Sequence, residues 1–534
     1  MRGTFSLSHF LLIPSLPYCR YDALDEFGIL CYQDLMYAQG GHSPTFGDVT
    51  QTAEITHQVR RLSHHPSLVL YTSCNECIFH GNMTLFINFA MEVVAAEDKT
   101  TPIWPACPAS GWATGVNRLT GFSSGEPLKM GGDTLDLHGP YYKGCTTSFD
   151  PIDGCEGAQA ADPFKIPTQM LVNQTIWPSW GRSGPIGVDL KGTVFSEYGF
   201  TVMSSFESMS ATLSPEHWGI SQPVWSERNY PCDNFIHAFF GAQHSNVSAV
   251  GESALKRQTW QCMIAQALAQ KQYTEALRSM NTVLVQFWQY NEIWPTGGWG
   301  SIEYGSPVAG QSIGGRWKPL QHFLRRSVYA TVGAACLEDG RCYVRNDGKA
   351  EFTGSLRLTL TELATGGAAW TSTVPLSIAR GAHTVQWVCA KAQSGGNCTA
   401  WADILQDAHC TRATCVFNAD VLGSNADENG PPLLLSSNQQ LLLPPGDLSV
   451  VADAVVTAVV GAPNKEGKVP VTVSATATAV LVTLTTLESG VFSDNVFLLT
   501  PQAPIVVLFT SYAGPVDAKA LRASLRVVHL AQYL

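Results

Sequence analysis

The sequence predicts an α/β plus all-β chain: a parallel unit of (β/α)-barrel type, then two β-sandwiches. Three observations carry this. Over residues 21–322, short apolar runs alternate with segments of helical spacing, the pattern of a parallel sheet. Several of those runs end in a polar residue, which lines one edge of the sheet with chemistry. From about Phe323 the spacing changes to apolar–polar alternation broken by turn residues, as in short antiparallel strands.

The elements follow in order. Met1 to Cys19 has Arg2 and an apolar centre, Phe10 to Leu16, in the manner of a signal peptide. Pro14, Pro17 and the lack of a small-residue cleavage site speak against that, so 1–20 is expected to be leader or non-native sequence. Tyr21 starts a short helix that Gly28 ends, and Ile29 to Tyr32 form a strand finishing at Gln33-Asp34. Val49, Ala53, Ile55, Val59 and Leu62 have helical spacing. Leu68 to Tyr71 is apolar without alternation, so a strand covered on both faces is expected. Pro66 blocks helix before it, and Ser73-Cys74-Asn75-Glu76 closes it. Leu85 to Ala96 reads as helix, Ile103 to Pro105 as strand, and Thr134 to His138 as strand with His138 at its lip. Gly192 to Gly199 repeats the theme with Glu197, 250–283 is helical, and Val283 to Glu292 is the last apolar run.

In the β part, Ser327 to Ala330, Leu356 to Leu360 and His383 to Val388 fall in a sandwich over 323–415. Val471 to Val482, Val491 to Leu499 and Ile505 to Phe509 fall in a second, over 416–534. No glycine-rich phosphate loop follows a strand, which disfavours a nucleotide-binding doubly wound sheet.

Composition narrows the function. The net charge is −11, with no basic patch to attract nucleic acid or an anionic membrane. No run is long enough to span a bilayer. Fifteen cysteines and sequons at Asn82, Asn173, Asn246 and Asn397 fit an oxidising, secretory route. Cys336/Cys342 and Cys389/Cys398/Cys410/Cys415 are placed to pair. Cys74 and Cys77 have no second CxxC partner, so zinc is not expected.

Glu76 and Glu197 are the candidates for chemistry. Two carboxylates at the lips of parallel strands suit retaining glycoside hydrolysis, in which one protonates the leaving oxygen and the other attacks the anomeric carbon from about 5 to 5.5 Å away. Asn75 is placed to bind a sugar 2-hydroxyl. Gly310-Gln311-Ser312-Ile313-Gly314 fits G-x-S-x-G, but a nucleophile elbow needs a strand before it and a helix after. His64 and His65 are expected at the opposite, structural end, and Asp25 and Glu26 on a helix surface or at that end; Glu207 and Glu216 are expected to be solvated.

HPSLVLYTSCNE, DLH, SEYG and NEIWPTGGWGSIEYG, in that order, together with GVFSDNVFLL near the end, resemble the β-mannosidases of glycoside hydrolase family 2. The resemblance runs from about Tyr21 to the C-terminus. It implies a partial (β/α)8 TIM barrel of about strands 3–8 over 21–322, then two immunoglobulin-like sandwiches. It implies Glu76 as acid/base, Glu197 as nucleophile, and Asn75, His138, Tyr141, Tyr142 and Trp294 as substrate-binding residues, Trp294 at strand 8. It implies exo-hydrolysis of terminal β-D-mannose from oligosaccharides in a lysosome, vacuole or the exterior, with no metal or cofactor. Barrel strands 1 and 2 and the family's N-terminal domains are expected to lie outside this chain, Ser306 to Ile313 resembles an insertion, and a pocket Trp after the acid has no match in Cys77 to Phe86. The rival expectations are another activity of the same family, exo-β-glucosaminidase or endo-β-mannosidase, and an inactive carbohydrate-binding remnant.

Overall fold

The computed structural model describes residues 19–38, 49–76, 84–104, 107, 110–112, 131–142, 193–228, 232–279, 284–305, 307–308, 311–312, 315–380, 384–424, 430–512 and 514–534. Most of the expected leader, Cys77, and the sequons at Asn82 and Asn173 lie outside these residues. Helix α1 (Cys19–Phe27) is closed by Gly28 at φ 64°, the left-handed backbone that glycine adopts without a Cβ penalty. Strands β1 (Cys31–Asp34), β2 (Leu68–Thr72) and β3 (Ile103–Trp104) form one sheet in that order, all parallel. Helices α2 (Val49–Leu62) and α3 (Thr84–Glu97) make the crossovers. Ile55, Val59 and Leu62 of α2 and Met91 and Val94 of α3 pack on Cys31, Leu68 and Tyr71 of the sheet.

The second sheet runs β4 (Ser110–Trp112), β5 (Gly131–Tyr142), β6 (Thr193–Phe200), β8 (Leu284–Val285). Strand β4 is antiparallel to β5, whereas β5–β6 and β6–β8 are parallel. The six expected parallel strands are thus all present among the described residues, hydrogen-bonded in two groups of three. Tyr32, Leu70 and Trp104 of the first sheet meet Val194 and Leu284 of the second in one apolar cluster. Both faces of β2 are therefore covered at Leu70 and Tyr71, while Val69 departs from the expected run and is 38% exposed. Strands β7 (Val202–Met203) and β9 (Gly297–Gly298) form a short antiparallel pair beyond β6 and β8.

Helix α4 (Glu252–Ser279) joins the parts. Its Tyr273 and Leu277 pack on Phe195, Tyr198 and Val285 of the second sheet. It is polar in sequence yet buried along most of its length. Some of its polar groups are satisfied by neighbours: Gln266 donates to the Phe200 carbonyl at 2.9 Å and Gln261 to the His244 carbonyl at 3.0 Å. Trp260 donates to Thr483 Oγ1 at 2.9 Å, and Glu275 is ion-paired with Lys271 at 2.9 Å and accepts from Asn438 at 2.8 Å. Buried polar groups are tolerated where such partners exist.

Strands β10 (Pro307–Val308) and β11 (Gln311–Ser312) make a small hairpin. Residues 327–330, expected to form a strand, instead follow a helical turn (Pro319–Phe323) into a π-helical turn (Leu324–Val328). The first sandwich begins at β12 (Val332–Cys336). It comprises β12, β13 (Arg341–Asn346) and β16 (Thr384–Cys389) facing β15 (Ala368–Ile378), β14 (Phe352–Glu362), β17 (Cys415–Gly423) and β18 (Leu433–Leu441). Its core holds fully buried Trp401 between Trp370 and Phe417. The expected boundary at 415/416 therefore cuts β17. That strand pairs with β14 along its whole length, from Gly423 opposite Gly354 to Cys415 opposite Glu362, and β18 pairs onto it. Disulfides Cys336–Cys342, Cys389–Cys398 and Cys410–Cys415 stitch this unit, and Cys232–Cys262 ties α4 to the segment before it.

The last unit has β19 (Val456–Val460), β20 (Val469–Ala475), β24 (Ile505–Ser511) and β22 (Gly490–Phe492) against β23 (Phe497–Leu499), β21 (Ala479–Thr485) and β25 (Arg526–Val528). It docks through Arg526, whose Nε and second guanidinium nitrogen donate to the two Glu207 oxygens at 2.8 and 3.0 Å. Glu207 is thus buried, not solvated as the sequence suggested, because a distant strand covers it. Burial works against its charge, but the hydrogen bonds and charge of Arg526 outweigh this and hold its pKa below the usual glutamate value. A carboxyl with a pKa lower in the folded state stabilises above its unfolded value and loses that contribution as pH falls through the folded value. The melting temperature is therefore expected to fall more steeply for the unaltered chain than for Glu207→Gln between about pH 5 and pH 3. Parallel calorimetric curves would contradict this.

Candidate active site

Strand β2 carries the first carboxylate to the lip. Beyond Thr72, Asn75 bridges in parallel to Ala38 on one side and Cys107 on the other, and its amide donates to the Tyr37 carbonyl at 3.0 Å. Glu76 follows at φ 55°, a left-handed backbone that costs a side-chain-bearing residue on the order of 1 kcal/mol. Its amide donates to the Cys107 carbonyl at 2.6 Å. The turn aims Glu76 away from the direction that strand continuation would give.

Glu197 sits on a second irregularity. Leu137 of β5 pairs with Phe195, but the next residue, His138, pairs with Glu197. Ser196 is the extra residue of a β-bulge. Phe195 and Tyr198 both face α4, a spacing that regular alternation forbids. The bulge accommodates it and re-aims Glu197, as bulges beside sites do. Glu197 is 6% exposed. The backbone sets His138 beside Glu197, Tyr141 beside Gly199 and Tyr142 beside Phe200; the β5 side chains lie outside the described detail.

The two lips meet at Cys107, whose Sγ lies 3.0 Å from Ser196 Oγ. Glu76 and Glu197, on separate sheets, are each one residue or one hydrogen bond from that contact. Asp34, 5% exposed at the end of β1 opposite Thr72, completes the same rim. The sequence marked it as a strand end without assigning it a role.

Trp294 is not at the end of β8. Strand β8 stops at Val285, and Trp294 stands at the tip of a loop beyond it, 39% exposed beside Ile293. Arg228 holds that tip, donating to the Pro295 carbonyl at 2.7 Å while Thr296 donates to the Arg228 carbonyl at 2.6 Å. The half-buried tryptophan next to Glu197's strand is Trp288, whose amide donates to the Tyr198 carbonyl at 2.7 Å and whose bond to Gln289 is cis. A Cβ on Gly199 would lie 2.1 Å from the Trp288 carbonyl, so this approach requires glycine there. The signal for Trp288 is its place inside the apolar run Val283 to Glu292, whereas the N-x-x-W-P pattern marks Trp294.

The base of this loop is locked by charge. Lys318 Nζ lies 2.6 Å from Glu292 Oε1, with side chains 0% and 2% exposed. Glu292 also accepts from the Gly300 amide at 2.9 Å. Burial pushes the Glu292 carboxyl above its usual range against the pull of Lys318.

Other sequence candidates fall elsewhere. Gln311 and Ser312 belong to hairpin strand β11, not to a strand–turn–helix elbow; Gly310, Ile313 and Gly314 lie outside the described residues. His65 is buried and pairs with Asp25 at 2.7 Å, and the Ser67 amide donates to Asp25 at 2.8 Å. With Asp22 these could surround a cation, but they lie before β2, at the end of the sheet opposite the lip. Glu216 is exposed in a short 3-10 turn. No described helix is long and apolar enough to cross a membrane.

An immunoglobulin-fold domain model, Ig_mannosidase, matches residues 452–533. A β-mannosidase of Bos taurus is 23% identical over 559 aligned positions, covering 96% of this chain and 54% of the relative. One of Mus musculus is 25% identical over 355 positions, covering 61% of this chain and 35% of the relative. The chain thus aligns with between about a third and about half of the length of the curated relatives it matches. In structure, a β-D-mannosidase from Dictyoglomus thermophilum shares the fold with a TM-score of 0.59 at 17% identity, over 95% of this chain and 54% of that one. An exo-chitosanase from Amycolatopsis orientalis shares it with a TM-score of 0.60 at 13% identity, over 99% and 59%. The sequence likeness reaches from the lips of β2 and β6 through the matched C-terminal domain, so the chain is similar to β-mannosidases over most of its length and shares the fold of one.

Proposed function

We propose that the chain carries the catalytic centre of an exo-acting, retaining β-mannosidase. Residues 21–322 are read as strands 3–8 of a (β/α)8 barrel, followed by two immunoglobulin-like domains that meet between Leu441 and Val456. Glu197 attacks the anomeric carbon of a terminal β-D-mannose and forms a mannosyl ester. Glu76 gives its proton to the departing oxygen, then takes one from the water that hydrolyses the ester, so that configuration is retained. Asn75 binds the 2-hydroxyl, where hydrogen bonding strengthens as the oxocarbenium ion develops. His138 stands beside the nucleophile. Trp288 offers an apolar face to the terminal sugar, while Tyr141, Tyr142 and Trp294 extend the rim. None of these steps calls on a metal or cofactor.

The observation that supports this most is the pairing of backbone irregularities. One glutamate is on a left-handed turn and the other on a bulge, and both are tied to Cys107. Strain of this kind concentrates where a side chain must be aimed. The disulfides, the exposed sequon asparagines Asn246 and Asn397, and the β-mannosidase relatives support a lysosomal, vacuolar or secreted location.

A second reading, exo-β-glucosaminidase, is favoured by the fold likeness to the exo-chitosanase. Aryl β-glycosides separate the two. Faster hydrolysis of the β-D-mannoside than of the β-D-glucosaminide, with single mannose units released from the non-reducing end of a mannotriose, is the expected result. Preference for the glucosaminide would move the assignment, and internal cleavage would exclude exo action. A 2-deoxy-2-fluoro-β-mannosyl fluoride is expected to leave its adduct on the peptide containing Glu197, and labelling of another residue would reject the nucleophile assignment.

A further inference from the structure

Cys107 is fully buried and forms no disulfide, and no step of the proposed reaction uses it. Yet it touches both catalytic lips. Its amide donates to the Cys74 carbonyl at 3.0 Å, and its carbonyl accepts from Glu76 at 2.6 Å. Its thiol lies 3.0 Å from the hydroxyl of Ser196, the extra residue of the bulge that turns Glu197.

The two glutamates lie on sheets that share no strand pairing among the described residues. A retaining pair must nonetheless hold a separation of about 5 to 5.5 Å. Ladder hydrogen bonds within either sheet do not set that distance; a tie between the lips does. We propose that Cys107 is a positioning residue that performs this task. Its carbonyl holds Glu76 in the left-handed turn, and its thiol pins the bulge at Ser196. This rests on the reading of Glu76 and Glu197 as the reacting pair.

Substitution separates the two contacts, because Cys107→Ala removes the thiol and keeps the carbonyl, whereas Cys107→Ser restores a polar hydrogen of similar reach. On an aryl β-mannoside, with active sites counted by the fluoro-sugar adduct, Cys107→Ala is expected to lower kcat about tenfold while KM stays within about threefold. Cys107→Ser is expected to recover most of that loss. Ser196→Ala added to Cys107→Ala is expected to cost little more, since both remove one contact. An unchanged kcat in Cys107→Ala, a loss confined to KM, or additive losses in the double variant would overturn the proposal.

Hydrogen exchange reads the same tie without turnover. In the intact chain, the peptide spanning 193–200 is expected to exchange at least about tenfold faster in Cys107→Ala and at the unaltered rate in Cys107→Ser. Equal rates in all three would overturn the proposal even if the enzyme is active. Lack of turnover in the unaltered chain would count against the β-mannosidase reading alone, leaving exchange to decide the role of Cys107.

Discussion

Replacing Glu197 with Gln is expected to lower kcat for an aryl β-mannoside on the order of 10⁴-fold, with the protein still folded. Glutamine matches the carboxylate in size, so the bulge at Ser196 and the packing of Phe195 and Tyr198 on α4 remain. The lost property is the anionic oxygen that forms the ester. Glu76→Gln is expected to behave differently. It should cripple hydrolysis of a mannobioside, whose departing alkoxide needs a proton, and affect an activated aryl mannoside far less in the first step. Added azide, which needs no general base, should then speed turnover of Glu76→Gln by forming a β-mannosyl azide. The same azide with Glu197→Ala should give the α-azide, because only one displacement occurs. Equal losses on both substrates for Glu76→Gln, or the opposite azide stereochemistry, would exchange or remove these roles.

Lys318→Met is expected to destabilise the fold by about 3 to 5 kcal/mol, because it leaves the Glu292 carboxylate buried without its counter-charge. The pair is sealed, with Lys318 0% and Glu292 2% exposed, and the lysine also donates to the Val202 carbonyl at 3.3 Å. Loss of Lys318 therefore loosens the loop after β8 and its attachment beyond β6 together. Replacing both partners, Lys318→Met with Glu292→Met, is expected to restore much of the stability, since apolar substitutes remove the desolvation penalty along with the attraction. Urea melts of the single and double variants decide this. A single variant as stable as the original would show that Glu292 is protonated or hydrated when alone.

Local pattern accounts for what could be read from sequence. Leu68 to Tyr71, Thr193 to Phe200 and 252–279 announce themselves by apolar runs or helical spacing, and the polar residues closing the two strands mark Glu76 and Glu197. What escaped depends on distant partners. Nothing near Ser196 in sequence reveals a bulge, which exists because Phe195 and Tyr198 must both reach α4. Glu207 resembles a surface residue until Arg526, remote in sequence, folds over it. The strand at Cys415 carries a sandwich pattern that suits either domain, and only its register with Gly354 to Glu362 assigns it to the first. Trp288 lies within the last apolar run and Trp294 just after it, and composition does not distinguish which one returns to Tyr198.

Helix α4 has a consequence for how the chain reaches its native state. Its Trp260 needs Thr483, its Glu275 needs Asn438, and its Arg278 reaches Asp347 at 2.5 Å. These partners are synthesised well after the helix. Until they emerge from the ribosome, at about 5 to 20 residues per second, these side chains are hydrated by water instead of held by their native partners. The packing of the first unit is therefore expected to be completed only after the later strands have been synthesised. Once docked, the barrel-type unit and both sandwiches share one spine, so heating should melt them in a single concerted transition.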